Sequence, residues 1–159
     1  MTFQTADLSD AHSTITQVAE PLLQAYGGVS RFAGEIVTVK CHEDNSLVRD
    51  MLGEAGQGKV LVVDGGGSLR CALVGDQIGQ LAVDNGWAGI IVYGCIRDSA
   101  ALGQMLIGVC ALATHPVKSI KKGVGEKQLA VSFAGVQFVP GNYVYIDEDG
   151  ILLAPHKLD

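Results

Sequence analysis

The chain has 159 residues, with 48% hydrophobic residues, 21 glycines, only four prolines and a net charge of −6. That length and apolar content suit one domain with one core spanning residues 1–159, and a glycine-rich chain so poor in proline is not a disordered linker. No apolar run is long enough to span a bilayer, and scattered acidic residues with no basic stripe argue against nucleic acid as a direct partner. The start, Met1-Thr2-Phe3-Gln4, lacks the basic segment and apolar stretch of a secretion signal, so a cytoplasmic protein is expected.

Taken in chain order, residues 7–26 carry Leu8, Ile15, Val18, Leu22 and Leu23 at near-helical spacing, which predicts an amphipathic helix ended by Gly27-Gly28. Residues 35–40 are β-branched and strand-like. Asp44 or Asn45 is a candidate cap for a short helix through Ala55, closed by Gly56. Residues 59–64 read as a buried strand, followed at once by Gly65-Gly66-Gly67. Asp76 is a candidate cap for a helix to about Asn85, residues 89–93 form the next strand, 99–103 another helix and 107–113 another strand. From residue 128 onward, 129–133, 136–139, 143–146 and 151–154 read as a β meander broken by Pro140-Gly141-Asn142 and Asp147-Glu148-Asp149-Gly150. The expected fold is therefore mixed α/β.

Two strand-to-helix junctions carry the chemistry. One reads Val74-Gly75-Asp76-Gln77-Ile78 and the other Gly94-Cys95-Ile96-Arg97-Asp98. In α/β sheets ligands collect at the carboxyl ends of strands. Gly75 lets a ligand approach the backbone, and the first amides of the following helix suit a carboxylate. Arg97 offers planar, bidentate donors, and Asp98 a hard oxygen of the kind Mg²⁺ accepts. The plainer alternatives stay open: Asp76 as a helix cap, and Arg97-Asp98 as a surface charge pair. The turn Asp64-Gly65-Gly66-Gly67-Ser68 lacks the lysine of a P-loop and the spacing of a dinucleotide fingerprint, and is expected to lie beneath the pocket. Cys41, Cys71, Cys95 and Cys110 show no CxxC pair and are read as reduced core residues. His12, His42, His115 and His156 show no ligand spacing.

Val60-Leu61-Val62-Val63-Asp64-Gly65-Gly66-Gly67-Ser68-Leu69-Arg70, then Gly75-Asp76, then Gly94-Cys95-Ile96-Arg97-Asp98, together with Glu20-Pro21-Leu22 and residues 39–45, resemble the RraA-like family. Its members include regulators of ribonuclease E activity and class II aldolases that cleave 4-hydroxy-4-methyl-2-oxoglutarate and decarboxylate oxaloacetate. The signature of those aldolases, an aspartate, twenty residues, then Arg-Asp, is matched by Asp76, Arg97 and Asp98. The resemblance implies a single-domain swivelling β/β/α fold assembled as a homotrimer. It also implies that the amides of Gly75, Asp76, Gln77 and Ile78 hold a pyruvyl carboxylate and that Arg97 stabilises the enolate. Asp98 would ligate Mg²⁺ or Mn²⁺, and Asp76 would position a metal-bound water. The alternative it carries is a non-catalytic inhibitor whose partner is ribonuclease E.

Overall fold

The computed structural model of the chain describes residues 2–159. Its elements run α1 (Thr5–Ala11), β1 (Gln17–Val18), β2 (Gln24–Ala25), β3 (Phe32–Lys40), α2 (Ser46–Leu52), β4 (Val60–Asp64), β5 (Ala72–Val74), α3 (Asp76–Asp84), β6 (Gly89–Ile96), α4 (Ser99–Leu102), β7 (Gly108–Thr114), β8 (Glu126–Lys127), β9 (Val131–Phe133), β10 (Val136–Phe138), β11 (Tyr143–Asp147) and β12 (Gly150–Ala154). The architecture is mixed α/β, as expected.

Four parallel strands, in the order β3-β4-β6-β7, form the centre of a ten-stranded sheet. Their apolar runs are continuous because both faces are covered, which is the pattern of parallel strands. Alternate residues serve different cores. Val37, Val39, Leu61, Val63, Ile90 and Val92 face α2 and α3, meeting Val48, Leu52, Ile78 and Ala82. Ile36, Val60, Val62 and Ile91 face the other way, onto the β9–β10 hairpin. There Phe133 stacks between Tyr93 and Phe138, with ring centroids 4.7 and 4.5 Å away. β3 is long enough to serve two partners: its first half pairs antiparallel with β11 and its second half parallel with β4. The crossing works only because Gly89 and Gly108 lie under the Phe32 ring, where an added Cβ would come within 2.2 and 2.1 Å of it.

The expected helix over residues 7–26 is not formed. α1 stops at Ala11, and the chain then gives two short strands, β1 pairing with β12 and β2 with β7. The physical reason is local. Residues 14–18 include the β-branched Thr14, Ile15, Thr16 and Val18, which lose side-chain freedom in a helix, and Pro21 cannot donate within one. Edge pairing supplies the backbone partners instead. The C-terminal third also departs from a simple meander. β9 and β10 form a separate two-stranded sheet, whereas β11 and β12 join the main sheet beside β3. No helix of the described residues is long and apolar enough to cross a membrane.

Candidate active site

The carboxyl ends of β5 and β6 lie side by side, joined through the pairing of Ala72 with Cys95 and Val74 with Ile96. This parallel pairing brings the two junctions, distant in sequence, to one place. Gly75, Asp76, Gln77, Ile78, Arg97 and Asp98 all line one cleft of about 130 Å³.

The details of that junction differ from a simple cap. Gly75, not Asp76, is the N-cap of α3, and Asp76 is its first helical residue. The Asp76 amide donates instead to Oδ2 of Asp98 at 3.0 Å. The Gln77 amide donates to Oδ1 of Asp76 at 2.8 Å. The orphan amides of a helix start are thus already engaged by carboxylates, the kind of group they suit. The Ile78 amide has no partner among the described residues. A Cβ on Gly75 would fall 2.8 Å from Oδ2 of Asp98 and 3.4 Å from Cγ of Arg97, so the close approach of the two junctions requires glycine here.

Asp98 itself holds a left-handed backbone (φ 54°, ψ 41°), a conformation aspartate tolerates better than most residues and one that clusters at functional sites. Its carbonyl accepts the Leu102 amide, starting α4, and its carboxylate turns back to α3. Arg97 is half-buried. Its amide is tied to Val74 O at 2.9 Å, and its guanidinium donates to Pro116 O at 3.4 Å through Nη1 alone, leaving most of its fork uncommitted.

The cleft also contains residues that the sequence did not mark as part of a site: Asn45, expected only as a helix cap, and Arg49, Lys118 and Lys121. Asn45 donates through Nδ2 to Leu73 O at 2.9 Å, but its Oδ1 is buried with no hydrogen-bond partner. Such an orphaned acceptor is uncommon in a folded protein. Asn45 is the N-cap residue of α2 but makes no side-chain cap hydrogen bond. Asp44, not Asn45, accepts from the Ser46 amide and hydroxyl through Oδ1, at 2.9 and 2.6 Å, while Oδ2 takes the Lys122 and Val124 amides at 2.9 and 3.1 Å. Burial pushes this carboxyl up, but the hydrogen bonds from Ser46, Val124 and Lys122 prevail and hold it well below the usual carboxylate range.

The triple-glycine turn does not line the cleft. It packs against Tyr93, with the Gly65 and Gly67 amides both donating to Tyr93 O at 3.1 Å. Beyond it, Ser68 Oγ and Arg70 Nε each donate to Oε2 of Glu43 at 2.6 Å. All four cysteines are free and buried. Burial raises the thiols of Cys41 and Cys110 to about 12, which removes them as nucleophiles at neutral pH.

The donor set at the cleft mouth is hard: two carboxylates and no thiolate. Among the described residues no three His, Cys, Asp or Glu side chains cluster as a protein-only metal cage. Mg²⁺ needs no such cage, since it keeps several waters and takes one or two carboxylates plus ligand oxygens. Oδ1 of Asp98, which accepts no hydrogen bond among the described residues, fits that role.

Known proteins resemble this chain in both sequence and fold. The sequence model of the RraA-like family, described as Aldolase/RraA, matches residues 5–153. A protein from Laribacter hongkongensis, provisionally named 4-hydroxy-4-methyl-2-oxoglutarate aldolase, is 62% identical over 99% of both chains. A crystal structure from Geobacillus kaustophilus, titled S-adenosylmethionine: 2-dimethylmenaquinone methyltransferase, superposes with a TM-score of 0.96 at 50% identity, covering 98% of this chain and 97% of that one. The RNA-processing inhibitor RraA from Thermus thermophilis superposes at 0.97 with 43% identity, covering 100% of this chain and 96% of that one.

Proposed function

Since the chain belongs to the RraA-like family, we propose that it is a cytoplasmic, divalent-metal-dependent lyase. It cleaves 4-hydroxy-4-methyl-2-oxoglutarate to two pyruvates and decarboxylates oxaloacetate through the same pyruvate enolate. The observation that carries this reading is the convergence of Asp76, Arg97, Asp98 and the start of α3 on one cleft. The provisional name of the Laribacter relative points the same way.

In the cleavage, the C3–C4 bond breaks and its electron pair passes to C3, delocalised onto the C2 oxygen as an enolate. The C4 hydroxyl loses its proton and becomes the keto group of one pyruvate. Protonation at C3 gives the other. In oxaloacetate the same bond breaks with loss of CO₂. The difficulty in both is the negative charge on the C2 oxygen. Arg97, with most of its guanidinium free, donates to that oxygen as charge develops. The start of α3, where the Ile78 amide has no partner among the described residues, holds the C1 carboxylate. Asp76, exposed at the mouth, holds the water that takes the C4 hydroxyl proton. Asp98 would hold the Mg²⁺ or Mn²⁺ ion, which supplies Lewis-acid stabilisation when bound.

Removing one such stabiliser typically costs about a hundred- to thousandfold in rate. Arg97→Ala and Asp98→Ala should each lose oxaloacetate decarboxylation on that scale, with an unchanged circular-dichroism spectrum. Wild-type turnover by either variant in magnesium-replete buffer would rule the mechanism out. The assembly we propose is a homotrimer, consistent with the exposed apolar side chains Leu69, Leu106, Ile120 and Val124.

A second reading, a regulator that binds ribonuclease E, is supported by the likeness to the Thermus inhibitor. Its test is capture by purified ribonuclease E over a salt series, and no binding at low salt would defeat it. The methyltransferase name of the Geobacillus structure gains no support from the residues: the glycine run packs on Tyr93 and does not open a helix, unlike a dinucleotide-type loop.

A further inference from the structure

The lyase chemistry leaves part of the cleft unexplained. Around one small space lie four cationic side chains, Arg49, Arg97, Lys118 and Lys121, and two carboxylates, in a chain whose net charge is −6. At the reacting end the charges already balance. A divalent ion and Arg97 offset Asp76, Asp98 and the single carboxylate of a pyruvyl group. Arg49, Lys118 and Lys121 are then surplus. Arg31, Lys59, Arg70 and Lys127 each pair with a carboxylate, whereas these three, like Lys40, Lys122 and Lys157, enter no ion pair among the described residues. What sets the three apart is that they share one cleft.

The rim is held in place, and a buried acceptor beside it lacks a partner. Arg49 stands on α2, and the two lysines stand on the segment after β7. That segment is stitched to the turn ahead of α2. Asp44 takes the Lys122 and Val124 amides, Ser46 Oγ accepts the Gly123 amide at 3.1 Å, and Ser119 Oγ accepts the Asn45 amide at 3.2 Å. The backbone beneath the lysines is therefore fixed, which lowers the ordering cost of binding. The orphaned Oδ1 of Asn45, in the same lining, asks for a donor hydrogen that a hydroxyl or water would supply.

We propose that Arg49, Lys118 and Lys121 form a second anion subsite, which selects 2-oxo acids bearing a distal carboxylate over monocarboxylates. This rests on the lyase reading, in which the start of α3 holds the first carboxylate. It makes the three cations specificity-determining residues.

The test is calorimetric binding of 2-oxoglutarate and of 2-oxobutyrate to the full chain in magnesium-replete buffer. The wild type should bind the dicarboxylate roughly tenfold or more tightly than the monocarboxylate. Arg49→Ala, and the double variant Lys118→Ala with Lys121→Ala, should each erase most of that preference while 2-oxobutyrate affinity changes little. Equal affinity for the two ligands in the wild type, no binding of either, or variants that weaken both in parallel would overturn the subsite. Oxaloacetate turnover is measured alongside. Its absence with the preference intact counts against the lyase reading alone, and its presence without any preference counts against the subsite alone.

Discussion

Gly75 shows how finely the site depends on a single residue. Its missing side chain lets Oδ2 of Asp98 reach the Asp76 amide, and a Cβ would sit 2.8 Å from that oxygen. The clash is with the free end of a side chain, so the fold should survive while the carboxylate moves. Gly75→Ala is expected to cut oxaloacetate decarboxylation at least tenfold and lower the thermal midpoint by only a few degrees, about 1 kcal/mol. Unchanged kinetics would show that the Asp98 position is unimportant. The candidate trio was legible because Asp76 and Arg97-Asp98 each follow an apolar strand. The capping relation was not: the side-chain bond at the start of α3 comes from 22 residues away, and no local pattern records it. Arg49, Lys118 and Lys121 were hidden for the same reason, since their meeting depends on Asp44 bonding to residues 78 and 80 positions further on.

Asp44 is also where the elements are joined, because one carboxylate both accepts the Ser46 amide at the start of α2 and holds the segment after β7. Its folded-state value is depressed, so the sign is that of a stabilising carboxylate. The contribution is full above the unfolded value near pH 3.9 and is lost as pH falls through the lower folded value. Asp44→Asn should cost roughly 2–4 kcal/mol at pH 7, and its urea midpoint should fall less steeply than the wild type's between about pH 5 and pH 2. Parallel pH profiles would contradict the assignment. At this scale the central strands were readable from their β-branched runs. The N-terminal segment was not, because helical spacing in residues 7–26 competed with β-branching and Pro21, and edge pairing with β12 and β7 decided the outcome.

For the whole molecule, an acidic chain carries a locally cationic cleft at the carboxyl edge of a parallel sheet, which would draw small anions to the site. The exposed apolar residues Leu106 and Ile120, 83% and 68% accessible, point to self-association. Sedimentation equilibrium should give three times the chain mass of 16.6 kDa, and a monomer would leave that surface without its proposed partner. The most direct test of the central claim is pyruvate release from oxaloacetate and from 4-hydroxy-4-methyl-2-oxoglutarate, with magnesium and after EDTA treatment. Release from both substrates, abolished by EDTA and restored by added Mg²⁺ or Mn²⁺, is the predicted result. Release that continues undiminished in EDTA, or none from either substrate with metal present, would contradict it.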